Sequence, residues 1–452
     1  MSNAEINSDE LLDLRRAYSL YIISNRSLPH ASDGLKSAAR RILWKARDGR
    51  KIKSATLAGN TLDLHPHASP EGSVNTLAAF YGNNTPLLTG IGAFGTLTVP
   101  TEFGASRYTS VKTSEFTNDV MFTDIDIVPM VDNYDETLKE PKHFLPIIPT
   151  VLLNPQDGIA DGFATNILPR ALDDIIKAQL AFLKKDTIPK DAPPKFAPID
   201  AEAVRHEVDN KGTGRWFFRG SFKKLNATTV VIDRLPYGIT HAKFKVKLDK
   251  LEDVGTKVIS YADETSDTIK IEVKFKRGVL SPLSDDEIIK LLSLEIGLTE
   301  NLNVIDFNSE SVYAGSFADI IMDFSTWRLD WYKTRYERLR RLINIDIQRY
   351  KDIISAIDNN VGGLARKTES REELKELLEM FEIVNLDYVA DLSVYRFTEA
   401  EKKKTEDKLK LAEEQLAEYN RLLASKNARK EVFIAELEAI LANFKKGKYN
   451  NV

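Results

Sequence analysis

Apolar residues near the start of the chain recur at helical spacing. Across residues 9–23, Leu12, Ala17, Leu20 and Ile23 mark one face of an amphipathic helix. A second helix is predicted to open near Ser32-Asp33, whose short oxygen-bearing side chains suit a helix cap, and to turn Leu35, Ala38, Ala39, Ile42 and Leu43 inward. A third follows Pro70-Glu71 and runs through Val74, Leu77, Ala78 and Phe80. The helical period then breaks. Glycine, proline and threonine dominate between residues 87 and 109, the composition of loop and short strand, and Asn154-Pro155-Gln156-Asp157-Gly158 reads as a turn between apolar runs.

A proline-rich stretch at 189–198 marks a predicted boundary. Strand-like runs at 215–219, 228–232 and 268–275 follow, alternating with helical patterns, which is an α+β signature. Near Ser316 the chain turns helical again: Tyr332, Tyr336, Leu339, Ile343, Tyr350, Ile354 and Ile357 recur at steps of three and four or their multiples. Thr398 with Glu401 three positions on predicts a capping box, and Thr405, Leu409, Ala412, Leu416, Tyr419 and Leu423 continue as an alternating four-three seam. Two long helices running out and back predict a coiled-coil arm, with the segment between them forming a small globular cap.

Composition narrows the class. A chain of 452 residues, 42% hydrophobic and 29% charged, has the make-up of a globular protein with two or three domains. No apolar run approaches the ~20 residues of a spanning helix, and no signal-peptide pattern opens the chain. Without cysteine there is neither a disulfide framework nor a thiolate metal site, so a reducing cytoplasm fits. The net charge of −4 excludes a uniformly basic nucleic-acid coat. Charge is unevenly placed, however. Lys36, Arg40, Arg41, Lys45, Arg47, Arg50, Lys51 and Lys53 cluster with only Asp48 opposing them, and such a cluster can bind phosphates on an acidic molecule. Lys36, Arg40 and Arg41 are predicted to share the exposed face of the second helix.

Arg107-Tyr108 is the dipeptide with the most chemistry to offer. A phenol titrates near ~10 and attacks phosphorus poorly until a neighbouring cation or base favours its phenolate. By itself the pair is weak evidence, because a tyrosine is usually half-buried packing and an arginine usually a solvated partner. Asp124-Ile125-Asp126 has the look of a paired-carboxylate magnesium site, but its expected reading is a strand or loop with outward carboxylates.

Several stretches, taken in order, together resemble one family. They are Arg26-Ser27-Leu28-Pro29, Asp33-Gly34-Leu35-Lys36 with Arg40-Arg41, His65-Pro66-His67, Gly92-Ala93-Phe94-Gly95, Arg107-Tyr108-Thr109, Val131-Asp132-Asn133-Tyr134-Asp135, Gly158-Ile159-Ala160 and Ala164-Thr165-Asn166-Ile167. Weaker similarity continues through Leu235-Pro236-Tyr237 to Leu392-Ser393-Val394-Tyr395-Arg396-Phe397. The chain so resembles the breakage-reunion subunits of type IIA DNA topoisomerases, as in the gyrase A subunit. In length and in its expected lack of a DNA-wrapping tail it is most similar to the medium-subunit type of T4-like bacteriophages. Ala68 departs from the family's glycine after the second histidine.

The resemblance implies a multidomain α+β fold. Its expected parts are an N-terminal helical arm (1–25), a winged-helix, helix-turn-helix DNA-gate domain (26–145), an α/β tower (146–315), and a coiled-coil arm (316–452) with a dimerisation gate at 362–397. It also implies that Tyr108 is the nucleophile, forming a transient 5′-phosphotyrosyl bond. Arg107 and Arg26 stabilise the phosphate, His67 and then His65 assist it, Lys36, Arg40 and Arg41 contact DNA phosphates, and Ile167 is an apolar wedge that enters a base step. Double-stranded DNA, a second copy of the chain, and an ATPase/TOPRIM polypeptide binding ATP and supplying Mg2+ are the implied partners, with no metal held by this chain. The implied setting is the cytoplasm, that of a host cell for a phage protein. The alternative is a catalytically inactive DNA-binding architectural protein of the same fold.

Overall fold

The computed structural model describes residues 8–66, 70–160, 162–210, 214–309 and 311–449. Two compact units emerge, one of Met1–Arg328 with Ile434–Val452 and one of Leu329–Phe433. The architecture is mixed α and β with several small open antiparallel sheets.

The first unit begins with α1 (Ser8–Ile22), which passes into a π-helical turn over Ile23–Ser27. α2 (Ser37–Ala46), α3 (Ser54–Gly59) and α4 (Pro70–Ala78) accompany a three-stranded sheet of β1 (Ile52–Lys53), β2 (Leu88–Ile91) and β3 (Ser110–Thr113), ordered β1-β3-β2. The second predicted helix therefore starts at Ser37, later than the sequence signal at Ser32-Asp33. Asp33 is engaged elsewhere. Its carboxylate accepts from the backbone N–H of Leu35 and Phe144 and from the Arg40 guanidinium, so it pins a turn and does not cap a helix. At that turn Gly34 sits at φ 65°, where a Cβ would lie 2.5 Å from the Val151 backbone nitrogen, so only glycine fits. α3 falls between the second and third predicted helices, where no helix is predicted.

β4 (Met130–Asp132) pairs with β5 (Lys139–Pro141), and β6 (Gln156–Ala160) with β7 (Phe163–Ile167). The β6–β7 hairpin overturns the predicted turn at Asn154–Gly158: most of that stretch is strand, and the chain reverses between Ala160 and Phe163. Asp124 is a second correction. It is buried and ion-paired with the fully buried Arg328, because two desolvated charges are tolerable only when each satisfies the other.

α5 (Leu172–Lys185) precedes a sheet made of β8 (Lys195–Phe196), β9 (Ala201–Val208), β10 (Gly214–Arg219) and, from later in the chain, Glu295–Thr299. A second four-stranded sheet holds β11 (Ser221–Asn226), β12 (Thr229–Arg234), β13 (Val258–Asp263) and β14 (Ile271–Phe275), ordered β11-β12-β14-β13. Its core joins Ile232, Val273 and Phe275 to Phe244 of α6 (His241–Val254) and Ile288 of α7 (Asp285–Leu291). The later strands are then β15 (Glu295–Thr299), β16 (Asn303–Ile305) and β17 (Val312–Ala314), the last two pairing.

The helical stretch predicted from Ser316 is α8 (Phe317–Asp358), a single helix of 42 residues. In the second unit, α9 (Val361–Leu364), α10 (Arg371–Met380) and α11 (Leu386–Ala390) gather Ala356, Val361, Leu378, Ile383 and Val389 into a small core of their own. α12 (Glu399–Ala424) returns along α8: Tyr419 stands 5.9 Å from Tyr336, Lys351 pairs with Glu413, and Lys402 pairs with Asp358. α13 (Lys426–Lys445) follows. The Thr398 hydroxyl accepts from the Glu401 N–H as a cap should, but the Glu401 carboxylate turns to Tyr395, Arg396 and Lys404, so the predicted capping box is only half formed. Among the described residues no helix is long and apolar enough to cross a membrane.

Candidate functional site

Tyr108 lies in the loop that leads into β3, with 73% of its surface exposed. A ring so exposed forgoes the burial that an amphipathic side chain can gain, as do those of Tyr134 and Tyr18. The loop is nonetheless fixed through its backbone. Tyr108 N–H donates to Ala105 O at 2.8 Å, the N–H groups of Ser54 and Ala55 donate to Thr109 O and Ser106 O, and the Thr109 hydroxyl donates to that of Ser54 at 2.8 Å. Lys53 adds its ammonium, which donates to Tyr108 O at 3.2 Å. Arg107 folds over the Tyr108 ring, with its guanidinium carbon 4.9 Å from the centroid. The result is an accessible phenol beside a cation, on a loop held by backbone hydrogen bonds.

A second cluster surrounds a cleft of about 430 Å³. Arg26, Lys36, Arg41, Tyr21 and His65 are among its walls, whereas Tyr108 and Arg107 are not. Arg26 is exposed on the π-helical turn that follows α1. Lys36, the residue just before α2, donates to Asp157 O at 2.6 Å. Burial lowers its ammonium below the ordinary lysine value, with the Asp157 charge pulling the other way. His65 shares a 3.1 Å hydrogen bond with the Tyr21 hydroxyl and stands edge-on to Tyr134 at 5.2 Å. His67, the other expected histidine, lies outside the described residues. Gly158 explains how the β6–β7 hairpin closes on this cleft: a Cβ there would meet the Ser27 carbonyl oxygen at 2.0 Å, so only glycine lets the strand approach the turn that carries Arg26.

Three expected DNA-contacting residues sit differently from the sequence expectation. Arg40 is buried, and its guanidinium forms a two-pronged pair with Asp33 and also donates to Leu35 O. Desolvation pushes the Asp33 carboxyl up, but the charge and hydrogen bonds of Arg40 outweigh it and hold it below the usual carboxylate range. Arg40 is therefore a structural strut and not an exposed phosphate ligand. Arg41 lines the cleft but spends its Nε and Nη2 on Glu140 at 2.6 and 2.9 Å. Ile167, the expected wedge, is 1% exposed, whereas Ile159 is 86% exposed near the tip of the same hairpin. The two-residue alternation of a strand separates them: Gln156↔Ile167 and Gly158↔Thr165 point inward, and Ile159↔Ala164 point outward.

Among the described residues no group of three or more His, Asp or Glu side chains is arranged to hold a metal ion.

Comparison with known proteins adds a second line of information. The family of DNA gyrase/topoisomerase IV A subunits matches residues 26–438. The chain is 30% identical over 426 residues to the DNA topoisomerase medium subunit of Enterobacteria phage T4, a match covering 88% of this chain and 91% of that protein. It is 26% identical to the DNA gyrase A subunit of Campylobacter fetus over 98% of this chain, and 28% identical to the DNA topoisomerase 4 A subunit of Borreliella burgdorferi over 66%. It spans 55% and 47% of those two longer relatives.

Proposed function

Because the chain belongs to the family of DNA gyrase/topoisomerase IV A subunits, we propose that it is the DNA cleavage and religation subunit of a type II topoisomerase. The observation that carries this reading is Tyr108, exposed beside Arg107 on a loop tied to β1 and α3. The Tyr108 oxygen attacks a backbone phosphorus, the bond from phosphorus to the 3′ oxygen breaks, and that oxygen leaves with a proton. One phosphodiester replaces another, so the reverse attack by the 3′ hydroxyl reseals the strand without an external energy source. Arg107 and Arg26 hold the charge that builds on the phosphate oxygens, and His65 and His67 hydrogen-bond the phosphate or carry the proton. Lys36 contacts the DNA backbone.

Ile159 takes the wedge role in this account, because an apolar side chain must stand free to enter a base step. Residues 26–145 act as a winged-helix gate, 146–315 as a tower, and α8 with α12 as a coiled-coil arm whose cap, within 362–397, joins two copies. Tyr108 stands outside the cleft of Arg26, Lys36 and His65, so we assign completion of each cleavage centre to the second copy of the chain. Bound by a TOPRIM domain on a partner polypeptide, magnesium supplies further stabilisation of phosphate charge, and ATP binds that partner. The complex acts on double-stranded DNA in the cytoplasm.

A relaxation assay tests this reading. Mixed with an ATPase/TOPRIM partner, Mg2+ and ATP, the chain is expected to relax supercoiled DNA. Tight DNA binding with neither relaxation nor a covalent adduct would establish the architectural alternative instead.

A further inference from the structure

The basic cluster between Lys36 and Lys53 is mostly committed to other work. Arg40 pairs with Asp33, Arg41 with Glu140, Lys45 with Asp63 and Arg50 with Asp48, while Arg47 lies over Trp44. Lys53 differs. Its side chain is exposed, it has no carboxylate within ion-pair reach among the described residues, and its Nζ reaches the carbonyl oxygen of Tyr108.

Its position is set by local structure. Lys53 ends β1, pairs with Ser110 in β3 and immediately precedes α3. The two residues after it hold the Tyr108 loop by backbone bonds to Thr109 and Ser106. One of the three N–H groups of its ammonium is spent on Tyr108 O. Two remain, on a positive charge held at the backbone of Tyr108. Arg107 approaches the same phenol through its ring, so the two cations address different parts of Tyr108.

We infer that Lys53 is a positioning residue for Tyr108, holding the loop through the Tyr108 carbonyl and placing a second positive charge beside the phosphate that Tyr108 attacks. The inference rests on the proposed role of Tyr108. A side chain that only braces the loop needs a hydrogen bond but no charge, whereas one that also steadies the reacting phosphate needs both.

Three variants separate these roles in the complex with its partner subunits. Lys53→Arg keeps donor and charge, Lys53→Gln keeps a donor without charge, and Lys53→Met keeps neither. The readout is the single-turnover rate of covalent adduct formation at saturating DNA, alongside the Kd for DNA. Lys53→Arg is expected to cleave within about threefold of the parent, while Lys53→Gln and Lys53→Met slow by about tenfold or more with Kd changed less than about threefold. Cleavage by Lys53→Gln at the parental rate overturns the inference, whatever Lys53→Met does. Tyr108→Phe in the same assay separates the two levels: an adduct that persists there removes the proposed function itself, whereas its loss together with full activity of Lys53→Gln removes only the role of Lys53.

Discussion

Gly158 and Ile159 are adjacent yet have opposite duties. The first has no side chain because the Ser27 carbonyl occupies that space, and the second carries its side chain almost wholly into solvent. An isoleucine so exposed contributes little burial, so truncating it costs the fold little. Ile159→Ala is accordingly expected to leave the urea midpoint nearly unchanged while reducing DNA bending, read by energy transfer between dyes at the duplex ends. Ile167→Ala, in contrast, is expected to cost about 2–5 kcal/mol of stability through the cavity it leaves. Equal bending by Ile159→Ala and the parent would remove the wedge assignment. That Ile159 and Ile167 face opposite ways was open to sequence reasoning, since alternation over two paired strands fixes their faces once the turn is put at 160–163. Misplacing that turn hid it. The fate of Arg40 was not legible in the same way: its partner Asp33 is close in sequence, but burial of the pair depends on the approach of Phe144 from far along the chain.

At the scale of elements, the long helices and the central strands were legible because their apolar periods extend over many residues. The short pieces were not. α3 has six residues and its register is set by β3 and the Tyr108 loop, so no local period announces it. A buried cluster between such pieces gives the fold a pH dependence. The rings of His30 and His143 lie tilted to each other with centroids 5.5 Å apart, and Asp33, Arg40 and Lys142 surround them. Desolvation is the main cause that lowers His30 to about 3 and His143 to about 4, against an ordinary value of 6.5, while Asp33 pulls the other way. Below pH 6.5 the unfolded chain therefore binds protons that the folded one refuses, and stability falls as pH drops toward 4 and 3. The urea midpoint is expected to be lower at pH 5 than at pH 7.5, with a smaller drop in a His30→Asn, His143→Asn double variant. A midpoint equal at both pH values would show that these imidazoles take up protons in the folded state.

For the whole molecule, the proposed function requires two copies, since each Tyr108 would open one strand. It also places Tyr108 of one copy at the Arg26 cleft of the other. Mixed dimers test that arrangement. Neither Tyr108→Phe nor Arg26→Ala homodimers are expected to cleave efficiently, but a mixed dimer retains one intact centre and is expected to nick a single strand. Absence of nicking in the mixed dimer would place Tyr108 and Arg26 of the same copy in one centre. Family membership was legible only through the order of short motifs along the chain, because no single motif specifies it and the basic cluster at 36–53 points to phosphates without naming a reaction. The most direct test remains the covalent bond itself. Denaturing the active complex during cleavage and mapping the linked DNA is expected to give a 5′ phosphate joined to Tyr108 and no adduct from Tyr108→Phe. A 5′-linked adduct that survives in Tyr108→Phe would contradict the account.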